Sequence, residues 1–466
     1  MMISVEDYLN GGRLPEIMLS FRPTLYGDEQ SHYDPYVGLK MYGPYKPVEM
    51  TILHLIPQEW IDEKLLTRTK VEYLEQILKN HMNHLFEKGM KKIIWENLEI
   101  DEITSLTNTE SKRVFEKEKD IASKVKYKEN CIILTFIPAK LARTTQGNAL
   151  YSKMKILGLK NEKNPFAVQC YSRRVLNALE QDDKFTLNNL ALNIFAKGGG
   201  IPWVLSSSYK INYNIVIGVA WSIKRVVEGS TGPVIKYYGV SHIFDEKGAW
   251  KQFITFACRA KSSDLLNAIA GSLKEIIEDY ELPEKSKMLL MFRERPGIQS
   301  IKEFSRNVKT EVENVKIDII RVSEGTPLRI YNPFIADWTP PRGLFFRISD
   351  ECAYVTTTGV YKGKYAGIGT PKPIKIELMY TEEEKRKALK ESIMACYALT
   401  AMNWRNLFGT LRLPTPIHYA KLMANLLEIL PEDDINHTFA ILKYKKAETE
   451  WELMKPKIFR DRPWFI

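Results

Sequence analysis

Between residues 50 and 197, short apolar runs alternate with segments whose apolar positions recur every three to four residues. TILHLI, KIIW, CIILTFI and FAVQCY read as strands, and the segments near 63–87, 110–124, 148–157 and 186–197 read as helices. Such alternation builds a parallel sheet covered by helices. The clearest helix lies in FTLNNLALNIFAKGGG, where Leu187, Leu190, Ala191, Ile194 and Phe195 fall at i, i+3, i+4, i+7 and i+8. Thr186 stands where a cap belongs, and Gly198 to Gly200 with Pro202 close the other end. A domain junction is expected just beyond, near 203–209.

Past that junction the rhythm changes. NIVIGVAW, VIKYYGVSHIF and AWKQFITFACRA read as three successive strands, the last two joined as a hairpin through Asp245-Glu246-Lys247-Gly248. A helix over Leu265, Leu266, Ile269, Leu273, Ile276 and Ile277 follows, then KMLLMF, a further helix and KIDIIRV. Two helices near 382–402 and 416–430 and an apolar tail, RPWFI, finish the chain. Three strands in a row followed by alternation is the order of a ribonuclease-H-like core. The first 49 residues, broken by Gly11-Gly12, Pro15, Pro23, Pro35, Gly43-Pro44 and Pro47, are expected to form a packed extension. The predicted organisation is therefore this extension over 1–49, an α/β domain over 50–205 and a second α/β domain over 206–466.

The chain's 466 residues exceed what one hydrophobic core sustains, which fits two domains. Lysine and arginine outnumber aspartate and glutamate by 67 to 57, a net charge of +10 that suits a polyanionic partner without naming one. Cys131, Cys170, Cys258, Cys352 and Cys396 are isolated, with no C-x-x-C pair, so neither a disulfide framework nor a zinc site is indicated. That usage suits a reducing cytoplasm. No leader and no apolar run of bilayer-spanning length is evident, so direct membrane insertion is not expected.

Tyr151 and Lys155, at i and i+4 on an expected helix, place a phenol and an ammonium group one turn apart on the same face. Asn189, Asn193 and Lys197 repeat that spacing opposite the apolar stripe of the next helix, a polar line about 12 Å long at 1.5 Å per residue. Lysines that neutralise a phosphate, with phenol and amides orienting it, would suit these types. Any amphipathic helix also has a polar face, so spacing alone leaves both readings open. Gln169, in FAVQC, sits at the end of an apolar run, where a buried amide would need partners. His81 and His84, at i and i+3, lack a well-placed carboxylate beside them and read better as surface residues than as metal ligands. The glycines of KGGG follow a helix, whereas a phosphate loop precedes one.

Lys197-Gly-Gly-Gly-Ile-Pro-Trp203 resembles the K-x-G-G-x-P-W junction that closes the MID domain of prokaryotic Argonautes. Tyr151-x-x-x-Lys155, Gln169 and Lys197, in that order, resemble the family's pocket for a guide 5′ phosphate. Asn403-Trp404, Leu413-Pro-Thr-Pro-Ile417, His418-Tyr-Ala-Lys-Leu422 and Gly369-Thr-Pro-Lys-Pro373 are similar to the C-terminal region of PIWI domains. The resemblance implies a Rossmann-like MID domain followed by a ribonuclease-H-like PIWI domain. It makes Tyr151, Lys155, Gln169, Asn189, Asn193 and Lys197 the expected phosphate ligands. Arg462-Pro-Trp-Phe-Ile466 is similar to the family's C-terminus, which implies that the Ile466 carboxylate and Gln169 help hold a divalent cation, Mg2+ or Mn2+, beside the phosphate. A short guide, with RNA favoured, and a complementary target, with DNA favoured, are the implied partners. The chain is too short for N and PAZ domains and looks like the short class, in which an associated protein, often an effector, supplies the missing half.

In active PIWI domains four groups, mostly carboxylates, hold two metal ions at the scissile phosphate. By the same resemblance Ala220, in NIVIGVAW, stands at the first ligand position and Lys421 at the fourth, where an ammonium would repel a metal. Glu294 lies near another ligand position, between Arg293 and Arg295. Binding without cleavage is therefore expected, in defence against foreign DNA. A nuclease using displaced acids such as Asp245 or Glu294, and a structural subunit with a vestigial pocket, are the alternatives.

Overall fold

The structure, a computed structural model, describes residues 11–57, 68–86, 92–100, 130–137, 151–152, 154–156, 158–160, 166–181, 183–209, 211–227, 233–259, 286–296, 298–311, 315–334, 338–359, 372–409, 411–430, 435, 441–445, 450–454 and 465. The helices expected near 110–124 and over 265–277 lie outside the described residues.

Turn formers cut the N-terminal stretch into β1 (Gly11–Arg13), β2 (Leu19–Ser20), β3 (Ser31–His32) and α1 (Pro35–Tyr42). Asp34 caps α1 by accepting from the amides of Tyr36 and Val37, and Pro35 occupies the first turn, where its missing N–H costs nothing. These pieces pack on distant parts of the chain: β1 pairs with the strand at 344–346, and β2 with Val204–Leu205.

The next strands are β4 (Glu49–Pro57), β5 (Lys92–Ile100), β6 (Cys131–Ile137) and β7 (Ala167–Ser172). All pair in parallel, in the order β5-β4-β6-β7. Helices α2 (Arg68–Phe86), α3 (Arg173–Glu180) and α4 (Lys184–Lys197) accompany this sheet. The α4 N-cap is Asp183 rather than Thr186: its carboxylate accepts from the amides of Phe185 and Thr186, and the Thr186 hydroxyl also donates to it. Gly199, at φ +90°, turns the chain out of the helix in a conformation that glycine adopts without strain.

Trp203, fully buried, donates its indole N–H to the carbonyl of Ala401 at 3.0 Å, locking the end of the first half to the second. After β8 (Val204–Leu205) come β9 (Ile215–Val227), β10 (Pro233–Asp245) and β11 (Trp250–Arg259), a continuous antiparallel meander. β12 (Lys287–Phe292) then pairs in parallel on the other side of β9, α5 (Ile298–Glu311) follows, and β13 (Lys316–Ser323) pairs in parallel with β12. The resulting order, β11-β10-β9-β12-β13, is the expected ribonuclease-H-like core. Three antiparallel strands, β14 (Leu344–Ser349), β15 (Cys352–Val355) and β16 (Ile374–Tyr380), widen the sheet. Helices α6 (Lys385–Leu399) and α7 (Thr415–Ile429) come next, and β17 (Ile441–Lys445) and β18 (Glu450–Met454) end the other edge. Helix α7 lies directly on β9, since a Cβ at Gly218 would stand 2.2 Å from the backbone of Pro416. That close approach sets α7 beside Ala220. Among the described residues no helix is long and apolar enough to cross a membrane.

Candidate functional site

Four expected pocket residues come together where β7 meets the end of α4. Lys197, with no exposed surface, donates to Gln169 Oε1 at 2.6 Å and to the carbonyl of Val168 at 3.2 Å. Lys155, 2% exposed on helical backbone, stands close enough to Lys197 for their charges to repel. Its ammonium lies 5.5 Å from the centre of the half-exposed Tyr151 ring, a cation–π distance. The Gln169 amide nitrogen donates to the carbonyl of Cys170.

Two ammonium groups driven together inside a protein repel, and burial adds to the cost. Burial and the charge of Lys155 hold Lys197 well below the ordinary lysine range, Arg405 pushes the same way, and Cys170 opposes them. Burial pushes the Cys170 thiol up, against the pull of both lysines. Such a concentration of buried positive charge is relieved by an anion.

A depressed lysine pKa penalises the folded state while both folded and unfolded forms are protonated, and the penalty fades as pH rises from the folded pKa to the unfolded value. The protein with no anion bound should therefore gain stability toward alkaline pH through this group. Melting temperatures from pH 7 upward should show a gain in wild type over Lys197→Met as pH rises, and a bound phosphate should remove it. A constant difference between the two proteins would show that Lys197 carries no such penalty.

Asn189 and Asn193, the other two expected phosphate ligands, engage the loop after α6. Asn189 Oδ1 accepts from the amide of Leu407 at 2.8 Å, and Asn193 Nδ2 donates to the carbonyl of Arg405 at 3.3 Å. The loop after α6 covers this face of α4, and half-buried amides take the backbone groups that cover them. Their effect is to fix Arg405, which sequence reasoning missed. Its charge reaches Lys197 on one side and His418 and Tyr419 of α7 on the other.

Phe465 is buried against His242, Trp250, Phe253 and Tyr419. The Tyr419 hydroxyl accepts from the amide of Trp404, so the tail packs on the residue that holds the Arg405 loop. Ile466, the expected second metal ligand, lies outside the described residues. The neutral oxygen of Gln169 is engaged by Lys197 and faces further positive charge, so the described pocket residues do not by themselves fit a divalent cation. His81 and His84 are directed to Asn188 and Tyr36 respectively, not to a shared centre.

At the second site, Ala220 is buried and offers no ligand. Lys421 lies 4.0 Å from the carboxylate of Glu324. Glu294 pairs with Arg293 at 2.8 Å, yet burial raises its carboxyl above the usual range, and its second oxygen has no hydrogen-bond partner. Asp245, the other displaced acid considered, is a turn residue: it accepts from the amides of Lys247 and Ala249 and pairs with Lys251. Among the described residues no three metal-ligating side chains converge.

Residues 146–430 match the Piwi domain family model. The Argonaute of Pyrococcus furiosus is 23% identical over 365 residues, covering 73% of this chain and 40% of that protein. The Piwi protein of Archaeoglobus fulgidus is 24% identical over 264 residues, covering 52% of this chain and 59% of its own length. Aquifex aeolicus Argonaute superimposes with a TM-score of 0.58 at 20% identity, over 90% of this chain and 54% of that one. The same protein with externally bound siRNA gives 0.56 at 18% identity, covering 89% and 53%. This chain thus spans about half the length of the Argonautes it matches. With the ribonuclease-H-like strand order and the family match over most of its length, the chain belongs to the Piwi-domain family, alongside the Argonautes.

Proposed function

We propose that this protein binds a short guide strand by its 5′ phosphate, pairs it with a complementary strand and does not cut that strand. The observation carrying this reading is buried Lys155 beside Lys197, which donates to Gln169, with Arg405 near them on a loop that Asn193 and Asn189 hold at Arg405 and Leu407. A terminal phosphate carries more charge than an internal one, so it gains most from two ammonium groups and a guanidinium in a site shielded from water. RNA is the favoured guide and DNA the favoured target. Recognition would be passed to an associated protein in defence against foreign DNA.

Alanine at position 220, the lysine at 421 and the engagement of Glu294 by Arg293 support binding without hydrolysis. Guide-loaded protein incubated with a labelled complementary strand and Mg2+ or Mn2+ should leave the strand intact. A cut at one position opposite the guide, lost on Glu294→Gln, would instead establish a nuclease. A divalent cation at the guide phosphate belongs to the proposal only as an addition brought by the phosphate itself and the C-terminal carboxylate.

A further inference from the structure

Residues 324–334 and 338–342, between β13 and β14, carry three aromatic rings in solvent. Phe334 is 95% exposed, Tyr331 55% and Trp338 54%. Single exposed rings are ordinary, but three on one short loop call for a reason. Hydrogen bonds and a ring contact tie the described residues on either side together. Trp338 sits at φ +62°, a left-handed conformation that bulky residues avoid, and its carbonyl accepts from the amide of Asn332 at 2.9 Å. Asn332 Oδ1 accepts in turn from the amide of Phe334, and Tyr331 meets Trp338 edge to face at 6.5 Å. Backbone strain kept at a surface that gains no burial from it points to a ligand.

The surroundings select the kind of ligand. Arg412 donates to the carbonyl of Glu324 at 2.6 Å, Arg329 lies close enough to Arg412 for their charges to repel, and Lys421 stands 4.0 Å from the Glu324 carboxylate. Exposed aromatic faces that begin two residues beyond Arg329, itself beside Arg412, suit a strand of stacked bases on a phosphate backbone, and stacking accepts any base. We propose that this loop is a base-stacking platform for a single-stranded stretch of nucleic acid. Tyr331, Phe334 and Trp338 take base faces, while Arg329, Arg412 and Lys421 take phosphates. The ligand class rests on the guided-binding reading above, but no residue of the platform belongs to the 5′-phosphate pocket.

The test uses the full chain and a 5′-phosphorylated single strand carrying 2-aminopurine at one position at a time. Wild type at saturation should quench the probe at a short run of positions. Phe334→Ala/Trp338→Ala should lose that quenching and bind roughly five- to a hundred-fold more weakly, the scale of one or more stacked bases. Should the double variant fail to fold, Phe334→Ala alone reports the same change from a side chain almost wholly in solvent. Quenching that persists in the loop variants, or that is absent at every position in wild type, overturns the proposal, as would loss of a copurifying protein with strand binding unchanged. Lys197→Met separates the two readings: weaker binding with quenching intact at saturation supports both. Unchanged affinity, with quenching still dependent on the loop, leaves the platform standing and removes the pocket.

Discussion

Lys197→Met should weaken binding of a 5′-phosphorylated guide by about 1.5–3 kcal/mol, the worth of a charge-assisted hydrogen bond. It should do so without lowering the stability of the guide-free protein. The side chain is fully buried, burial and Lys155 both work against its charge, and its contacts are a carbonyl and an amide oxygen rather than a carboxylate. A methionine of similar length fills the space and removes the repulsion. Titration of a labelled guide gives the first quantity and urea unfolding the second. A large loss of stability with unaltered guide affinity would make Lys197 a structural residue.

Lys287→Met should have the opposite outcome, costing about 3–5 kcal/mol of stability, the range for breaking a buried ion pair on one side. Lys287 also lies inside, but it bridges Asp318 at 3.0 Å, Glu383 at 2.8 Å and Glu391 at 2.5 Å. Asp318 further accepts from the hydroxyls of Tyr213 and Thr381. Burial works against the Lys287 charge, but the hydrogen bonds to Glu383 and Glu391 and the charge of Asp318 win, and its pKa is raised. Its contribution is therefore complete below the unfolded lysine value and lost only at more alkaline pH. Without the ammonium, three carboxylates face one another at the start of β12 and β13. Urea unfolding at neutral pH reads the loss, and guide affinity per folded molecule should not move. A variant as stable as wild type would show that the carboxylates are held apart by other means.

Parts of the fold that depend on near neighbours are legible in the sequence, and those that depend on distant ones are not. Apolar periodicity located α4, the β9–β10–β11 meander and the hairpin at Asp245, because each depends on neighbours within one or two elements. The i, i+4 spacing also placed Tyr151 and Lys155 together. What covers a polar face could not be read this way: Asn189 and Leu407 are far apart in sequence, and nothing in the spacing of α4 announces the loop that claims its amides. Arg405 is hidden for the same reason, although it adjoins Asn403-Trp404, one of the motifs that carry the family resemblance. β1 reads Gly-Gly-Arg and gives no alternation, so its place on the sheet edge depends wholly on the partner strand. Asp245 reads in the sequence as an available displaced acid, but its turn takes one oxygen and Lys251 of β11 pairs with the other.

The buried cationic pocket is tested most directly by titrating the intact protein with one short oligonucleotide in two forms, ending in a 5′ phosphate or a 5′ hydroxyl. The phosphorylated form should bind at least roughly ten-fold more tightly, by the worth of one charged hydrogen bond, and Lys155→Ala/Lys197→Met should erase the preference. Equal affinity for both ends in the wild-type protein would contradict a phosphate-binding role for these lysines.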